Sequence, residues 1–478
     1  MPYIARLEKA GIPTVVIDFE DQEHMIKQTS LSSGVPKVRY LRASREVHGE
    51  EDSDAILDSV IEALTKPLTK KEKERGRYVP PEQKRILFEG TLDEADTFYH
   101  QTEFVPPPLN APIAVYTDGY PVRIPTEERV KEMLTGTSRK PDELIKYQSD
   151  RKGMIPRKKG DVVEFDPMKC TATVEKVATI AVMAGCKPEY LPVVLAMAES
   201  GCGTGTTVFW GQWACVSGPI VKEIGMNCGT GMLDPGNPAN ATIGRAYQLM
   251  ARNLGGATTG INRMNSIGSP LNTGGTCFAE NADGLPPGWK GLNEESGFKK
   301  NQSVIMVMNS GGFIMGAQHT PAGYRQLQKA GKGGIARKLG LEGKPGPHNF
   351  LEYILPSLFT YREGGWTLIM VPEMAKHLYE MGFKSKEDVY KWIWEKSFEP
   401  LKQYKQRQPL DLTLNGWVGK EKRSGKFWSE LPDDYMVPLM DDPFDNCIIV
   451  AGGQEEVCEQ LRGRSGLSSS VYSIDAWR

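Results

Sequence analysis

Three short tracts of this chain carry residue types that can do chemistry. The first is Gly201-Cys202-Gly203-Thr204-Gly205-Thr206-Thr207, with Trp210 and Trp213 just beyond. Glycines on both sides of Cys202 predict an irregular, accessible backbone, and a thiol there becomes a nucleophile when a nearby cation or a helix N-terminus favours its thiolate. The alternative is a cysteine that only packs a turn. The second tract is Asp234-Pro235-Gly236-Asn237-Pro238-Ala239-Asn240-Ala241-Thr242-Ile243-Gly244-Arg245, a Gly/Asn loop running into a helix start. Free N–H groups and the helix dipole favour an anion there, so Asn237, Asn240, Thr242 and Arg245, with Trp210, are the expected carboxylate binders. Asn240 as a simple helix cap is the alternative. The third tract is Gly274-Gly275-Thr276-Cys277-Phe278-Ala279-Glu280-Asn281. A carboxylate and an amide after a Gly-Gly turn suit a general acid/base, Glu280, with an orienting donor, Asn281, and Cys277 beside them. Glu280 serves equally as an ion-pair partner.

Other chemistries lack their residues. The eight cysteines, at 170, 186, 202, 215, 228, 277, 447 and 458, form no Cys-x-x-Cys pair, which disfavours zinc ribbons, iron–sulfur clusters and thioredoxin-type motifs. They read as free thiols, mostly packing residues. The six histidines show no metal-binding spacing, and His319 is the one placed in a loop near the candidate core. There is no Walker loop, no Gly-x-Gly-x-x-Gly after a strand and no Gly-x-Ser-x-Gly elbow. No metal and no cofactor is predicted from motifs; any cofactor is unknown.

The elements that must position these tracts follow from periodicity. Residues 11–19 and Lys37 to Leu41 read as strands. Polar residues from Glu20, and Ala55, Ile56, Val60, Ile61 and Leu64 at helical spacing, read as helices. The order β-α-β-α implies a parallel pair with right-handed crossovers, too small to cover its own sheet edge and apolar face. Residues 104–124, with Pro106-Pro107-Pro108, read as an extended connector, and Thr126 caps a short acidic helix. Helices are expected over Val174 to Ala184, Glu189 to Glu199 (apolar on almost every side), about Ala241 to Leu254, Glu373 to Met381 and Lys386 to Glu395. Val304 to Met308 is a buried strand, and Cys447 to Gly453 a strand and turn before a helix from Gln454. The fold class is therefore α/β: an incomplete N-terminal parallel β-α-β-α unit plus a larger α/β domain with a Gly-rich core.

A net charge of −2 in 478 residues offers no basic stripe for phosphates, so nucleic-acid binding is not expected. The N-terminus is charged too early for a signal peptide, and no apolar run is long enough to cross a bilayer. A cytoplasmic protein without membrane contact is the expectation.

The segments Gly11-Ile12-Pro13-Thr14-Val15-Val16, Ala184-Gly185-Cys186-Lys187-Pro188-Glu189-Tyr190-Leu191-Pro192-Val193-Val194-Leu195, Ser217-Gly218-Pro219-Ile220 with Glu223-Ile224-Gly225, Pro235 to Ala246, Arg252-Asn253-Leu254-Gly255-Gly256, Phe278-Ala279-Glu280-Asn281 and Ile449-Val450-Ala451-Gly452-Gly453 resemble the UGSC family of (seleno)proteins. That family is similar to the selenoprotein subunits of glycine and proline reductases, and the block from 184 to 281 is the most specific part of the likeness. The resemblance implies thiol-dependent chemistry on a small carboxylate-bearing molecule, by reductive cleavage or carbon–heteroatom lyase chemistry. In longer relatives the redox motif precedes the segment matching Gly11 to Val16, and no cysteine precedes Cys170 here. The expectation is therefore that residues 1–80 are half of a flavodoxin-like α/β domain, 81–170 a linker and arm, and 171–478 the main domain. A second subunit would supply the missing half-domain and a reactive cysteine, making the protein oligomeric. Two other readings stand beside this one: a cofactor-free hydratase or lyase using Glu280, and a non-catalytic structural subunit.

Overall fold

The computed structural model describes the chain apart from Met1 and residues 44–49, 75, 77, 81, 108, 151–156, 204–210, 311–312, 315–323, 325–332, 360–365, 408–418, 439, 441 and 463–470. It is a mixed α/β protein of two compact units that interleave along the chain. Unit one takes Met1–Tyr147, Gly160–Trp210 and Arg245–Gly268, and unit two takes Gln148–Lys159, Gly211–Gly244 and Ser269–Arg478. The two units are discontinuous along the chain, beside the expected linear division at 80 and 170.

Unit one contains the expected β-α-β-α order. Strands β1 (Val15–Phe19) and β2 (Arg39–Ala43) pair in parallel, from Val15 opposite Arg39 to Phe19 opposite Ala43. Helices Glu23–Ser32 and Glu50–Thr65 follow the two strands. Arg39 fastens the unit: its guanidinium donates to the Lys66 and Pro67 carbonyls (2.8 and 3.0 Å) and to both Glu72 oxygens (2.8 and 3.1 Å). The proline-rich stretch is not a plain connector. It folds into the hairpin β3 (Thr102–Val105) and β4 (Ala111–Ala114), paired antiparallel. Thr126 caps helix Glu127–Leu134 as expected, accepting from the Arg129 N–H. Helices Val174–Ala184 and Leu191–Ala198 form the interior of this unit; every residue of the second is buried, which is why its sequence has no polar face.

Unit two is built on two four-stranded sheets. Its strands are β5 (Gly211–Ser217), β6 (Thr276–Ala279), β7 (Val304–Ser310), β8 (Phe313–Ile314), β9 (Trp366–Met370), β10 (Phe398–Pro400), β11 (Met436–Pro438), β12 (Cys447–Val450), β13 (Cys458–Arg462) and β14 (Val471–Ser473). One sheet runs β14-β7-β5-β6 with β5 and β6 parallel, and the other runs β12-β9-β13-β8 with β12 and β9 parallel. The strand that replaces the expected helix from Gln454 is β13, antiparallel to β9. Alternation along the second sheet explains its apolar runs. Ile369 and Ile449 face a core shared with Trp213, Cys215, Met306 and Met308 of the first sheet. Leu368, Met370, Ile448 and Val450 face helices Phe350–Leu358, Pro372–Glu380 and Lys386–Lys396. Strands covered on both faces lose the polar half of their pattern.

Candidate active site

The carboxyl ends of the two parallel strand pairs meet in unit two. Past β6, the Glu280 N–H donates to the Val216 carbonyl of β5 (2.9 Å) and the Asn281 N–H to Val450 of β12 (2.8 Å). Past β12, the Ala451 N–H donates to Met370 of β9 (3.0 Å), and the Gly452 N–H to the carbonyl of Cys228 (2.9 Å). Carboxyl ends of parallel strands are where α/β sheets place ligands, because the connecting loops converge there. Gly218 makes the first sharp turn beyond β5: its φ is +108°, and a Cβ would lie 2.4 Å from the Gln302 carbonyl oxygen.

Cys228 stands on this rim. Of the eight cysteines, seven are buried and Cys228 alone is partly exposed. Three asparagines build its loop. The Asn240 carboxamide accepts from the Asn227 N–H (3.0 Å) and donates to the carbonyls of Asn227 and Met232 (2.8 and 3.1 Å). Asn237 donates to Gly231 and Asp234 (2.7 and 3.0 Å) and accepts from the Asn227 side chain (3.0 Å). Partial burial raises the Cys228 thiol above its ordinary range; its own backbone N–H opposes this, Asp283 adds to it and Lys222 counters it. Lys222 and Asp283 are exposed and paired at 2.6 Å.

The ends of the same strands carry a sealed charge network. Glu280, 1% exposed, accepts on Oε2 from the Ser217 hydroxyl (2.7 Å) and the Leu292 N–H (2.7 Å). Its Oε1 accepts from Lys386 Nζ (3.2 Å), which also donates to Glu295 (2.8 Å). Tyr390, one turn along the same helix, donates to Glu295 (3.1 Å) and accepts from the Ile448 N–H of β12 (3.0 Å). Burial alone depresses the Lys386 ammonium, but Glu295 and Glu280 outweigh it and hold it above the usual lysine range. Burial also raises the Glu295 carboxyl, against the pull of Lys386. One cation between two carboxylates leaves an excess negative charge in a dry site.

The expected site residues therefore divide. Cys202 lies in unit one and is wholly buried at φ +45°, its thiol pushed up to about 12 by burial; the expectation of an accessible thiol is corrected. The apolar helix Leu191–Ala198 just before it carries it inside. Arg245 also belongs to unit one, where Asp118 holds its guanidinium at 2.8 and 2.9 Å and Pro121 takes a further bond, so it is not a free anion receptor. Thr242 bonds back to the Pro238 carbonyl (2.7 Å). Asn237 and Asn240, expected to bind an anion, organise the Cys228 loop instead. Cys277 is buried on β6, and Asn281 accepts from the Gly284 N–H (3.1 Å), shaping the turn to Asp283. Glu280 is an ion-pair partner, the alternative that its sequence left open. Trp210 and His319 lie outside the described residues. Sequence reasoning passed over Cys228, although Asn227-Cys228-Gly229-Thr230-Gly231 carries the same glycine signal as the Cys202 tract.

Among the described residues, no group of three or more His, Cys, Asp or Glu side chains is arranged to hold a metal ion, and no helix is long and apolar enough to cross a membrane. Comparison with family models, curated proteins and solved structures returns no match to this chain.

Proposed function

We propose that the chain is a subunit of a thiol-dependent enzyme in which Cys228 attacks a small carboxylate-bearing molecule and cleaves a carbon–heteroatom bond. The observation that carries this reading is the selective exposure of Cys228, on the rim where two pairs of parallel strands end. The Cys228 sulfur forms a bond to the carbon bearing the heteroatom, and the heteroatom group leaves with the bonding electrons and takes a proton. Lys222 and Asp283 form an exposed pair at 2.6 Å; in this reading the substrate carboxylate displaces Asp283 from Lys222, and the released Asp283 carries the proton. The resemblance to the UGSC family supports the thiol chemistry. The free state of all eight cysteines supports a reducing, cytoplasmic setting.

A second subunit is part of this proposal. Among the described residues, the β1–β2 sheet has two strands, and Ile17 on it is 47% exposed. A subunit that covered this sheet and supplied a second cysteine would turn the cleavage into a reductive one, the second thiol closing a disulfide on Cys228 and releasing the reduced product.

The test is a screen of α-substituted small carboxylates for heteroatom release by protein purified from its host. Cys228→Ser is expected to lower turnover at least ~100-fold, while Cys202→Ser leaves it within about twofold. Equal loss in both variants, or none in Cys228→Ser, would overturn the assignment.

A further inference from the structure

We infer that the buried Lys386–Glu280–Glu295–Tyr390 network is a positioning device for the Cys228 rim, so that groups sealed inside unit two set the reactivity of a thiol on its surface. The inference rests on the reading of Cys228 as the reactive thiol and extends it to residues that touch no substrate.

The geometry is a set of short levers. Three segments of the rim, those of Lys222, Asp283 and Gly452, each begin a few residues beyond a group that the network holds. Ser217, bonded to Glu280, ends β5, and the next turn leads through Gly218 to Lys222. Glu280 itself precedes Asn281, whose N–H is tied to Val450 and whose side chain shapes the turn containing Asp283. Ile448, bonded to the Tyr390 hydroxyl, starts the run through β12 to Gly452, whose N–H holds the Cys228 carbonyl. The Lys222 segment, the Asp283 turn and the backbone anchor of Cys228 are thus referred to one buried cluster.

That cluster is sealed and hydrogen-bonded throughout. Lys386 is 2% exposed, Tyr390 is equally sealed, and all four side chains are hydrogen-bonded to one another or to main chain. A satisfied buried polar network fixes its members more strictly than apolar packing does. Removing the Tyr390 hydroxyl, the least costly link, should therefore leave the fold and release the rim locally.

The experiment is the rate of Cys228 alkylation by iodoacetamide across pH 6–10, read by peptide mass spectrometry, with the seven buried cysteines as internal controls. Tyr390→Phe deletes one oxygen from an unchanged ring and is the variant expected to stay folded. It is predicted to speed Cys228 labelling about threefold or more, to flatten the pH profile toward that of a free thiol, and to leave the other cysteines unlabelled. Lys386→Met should act in the same direction and more strongly wherever it folds. A Tyr390→Phe protein with the wild-type rate and pH profile at Cys228 would overturn the inference, and so would labelling that rises equally at all eight cysteines. If the profile shifts while Cys228→Ser retains turnover, the network positions the rim but the thiol reading fails, so the two claims fail separately.

Discussion

At the scale of the residue, charge count decides what Glu280 does. A general acid/base needs a lone pair or proton facing substrate, whereas both Glu280 oxygens are committed to Ser217, Leu292 and Lys386 in a sealed site. Lys386 is the single cation for two carboxylates, so the variants should rank by the charge they strand. Lys386→Met leaves Glu280 and Glu295 without a counter-ion and should cost about 3–5 kcal/mol. Glu280→Gln keeps an acceptor and leaves a balanced Lys386–Glu295 pair, so it should cost only about 1–3 kcal/mol. Urea unfolding with an unchanged m-value measures both. Equal costs would contradict the assignment of Lys386 as the shared counter-ion.

At the scale of the element, Arg39 joins β2 to the end of helix Glu50–Thr65 and to Glu72. This hydrogen-bonded pair holds the Glu72 carboxyl at about 2, against an ordinary 4.5. A carboxyl whose folded value is lowered stabilises the fold above its unfolded value and loses that contribution as pH falls through the folded one. Stability from this pair is thus complete above about pH 4.5 and lost toward pH 2. Solvent screening at this partly exposed site leaves about 1–2 kcal/mol. Acid titration of the full chain by circular dichroism should show the loss, and Glu72→Gln should reduce the pH dependence over that window by the contribution of this pair. An unchanged acid limb in Glu72→Gln would place the sensitivity elsewhere.

Elements with a local cause were legible in the sequence. The β-branched run at Val15, the cap at Thr126, the apolar periodicity of Val174–Ala184 and the amphipathic pattern of Lys386–Lys396 each act within a few residues. What was illegible depends on distant partners. Strand β5 is buried along its whole length between β6 and β7, yet Gly211-Gln212-Trp213-Ala214 carries no strand alternation. The same limit separates Cys202 from Cys228. Both sit beside glycine, and only the tertiary position of the preceding segment, an apolar helix for one and a loop tied to β12 for the other, decides which thiol meets water. The asparagines at 237 and 240 were legible as loop-formers and not as its scaffold, because their partners lie up to 13 residues away.

At the scale of the whole molecule, the proposal includes a second polypeptide over the β1–β2 sheet. Native mass spectrometry of protein purified from its host under reducing conditions is expected to find a stoichiometric partner bearing a reactive cysteine. A homo-oligomer alone would leave the S-alkylated Cys228 with no second thiol to release it, and would contradict the reductive cycle. The thiol chemistry proposed for Cys228 can be tested without knowing the substrate. Iodoacetate and iodoacetamide present the same carbon–iodine bond, with and without a carboxylate. The decisive measurement is the ratio of their rates at Cys228 in the native protein, followed by peptide mass spectrometry. Cys228 is expected to be the site modified, iodoacetate to saturate, and its rate relative to iodoacetamide to exceed that of a free thiol by about tenfold, some 1.4 kcal/mol of carboxylate recognition. A ratio equal to that of free cysteine, or modification centred on another thiol, would contradict it.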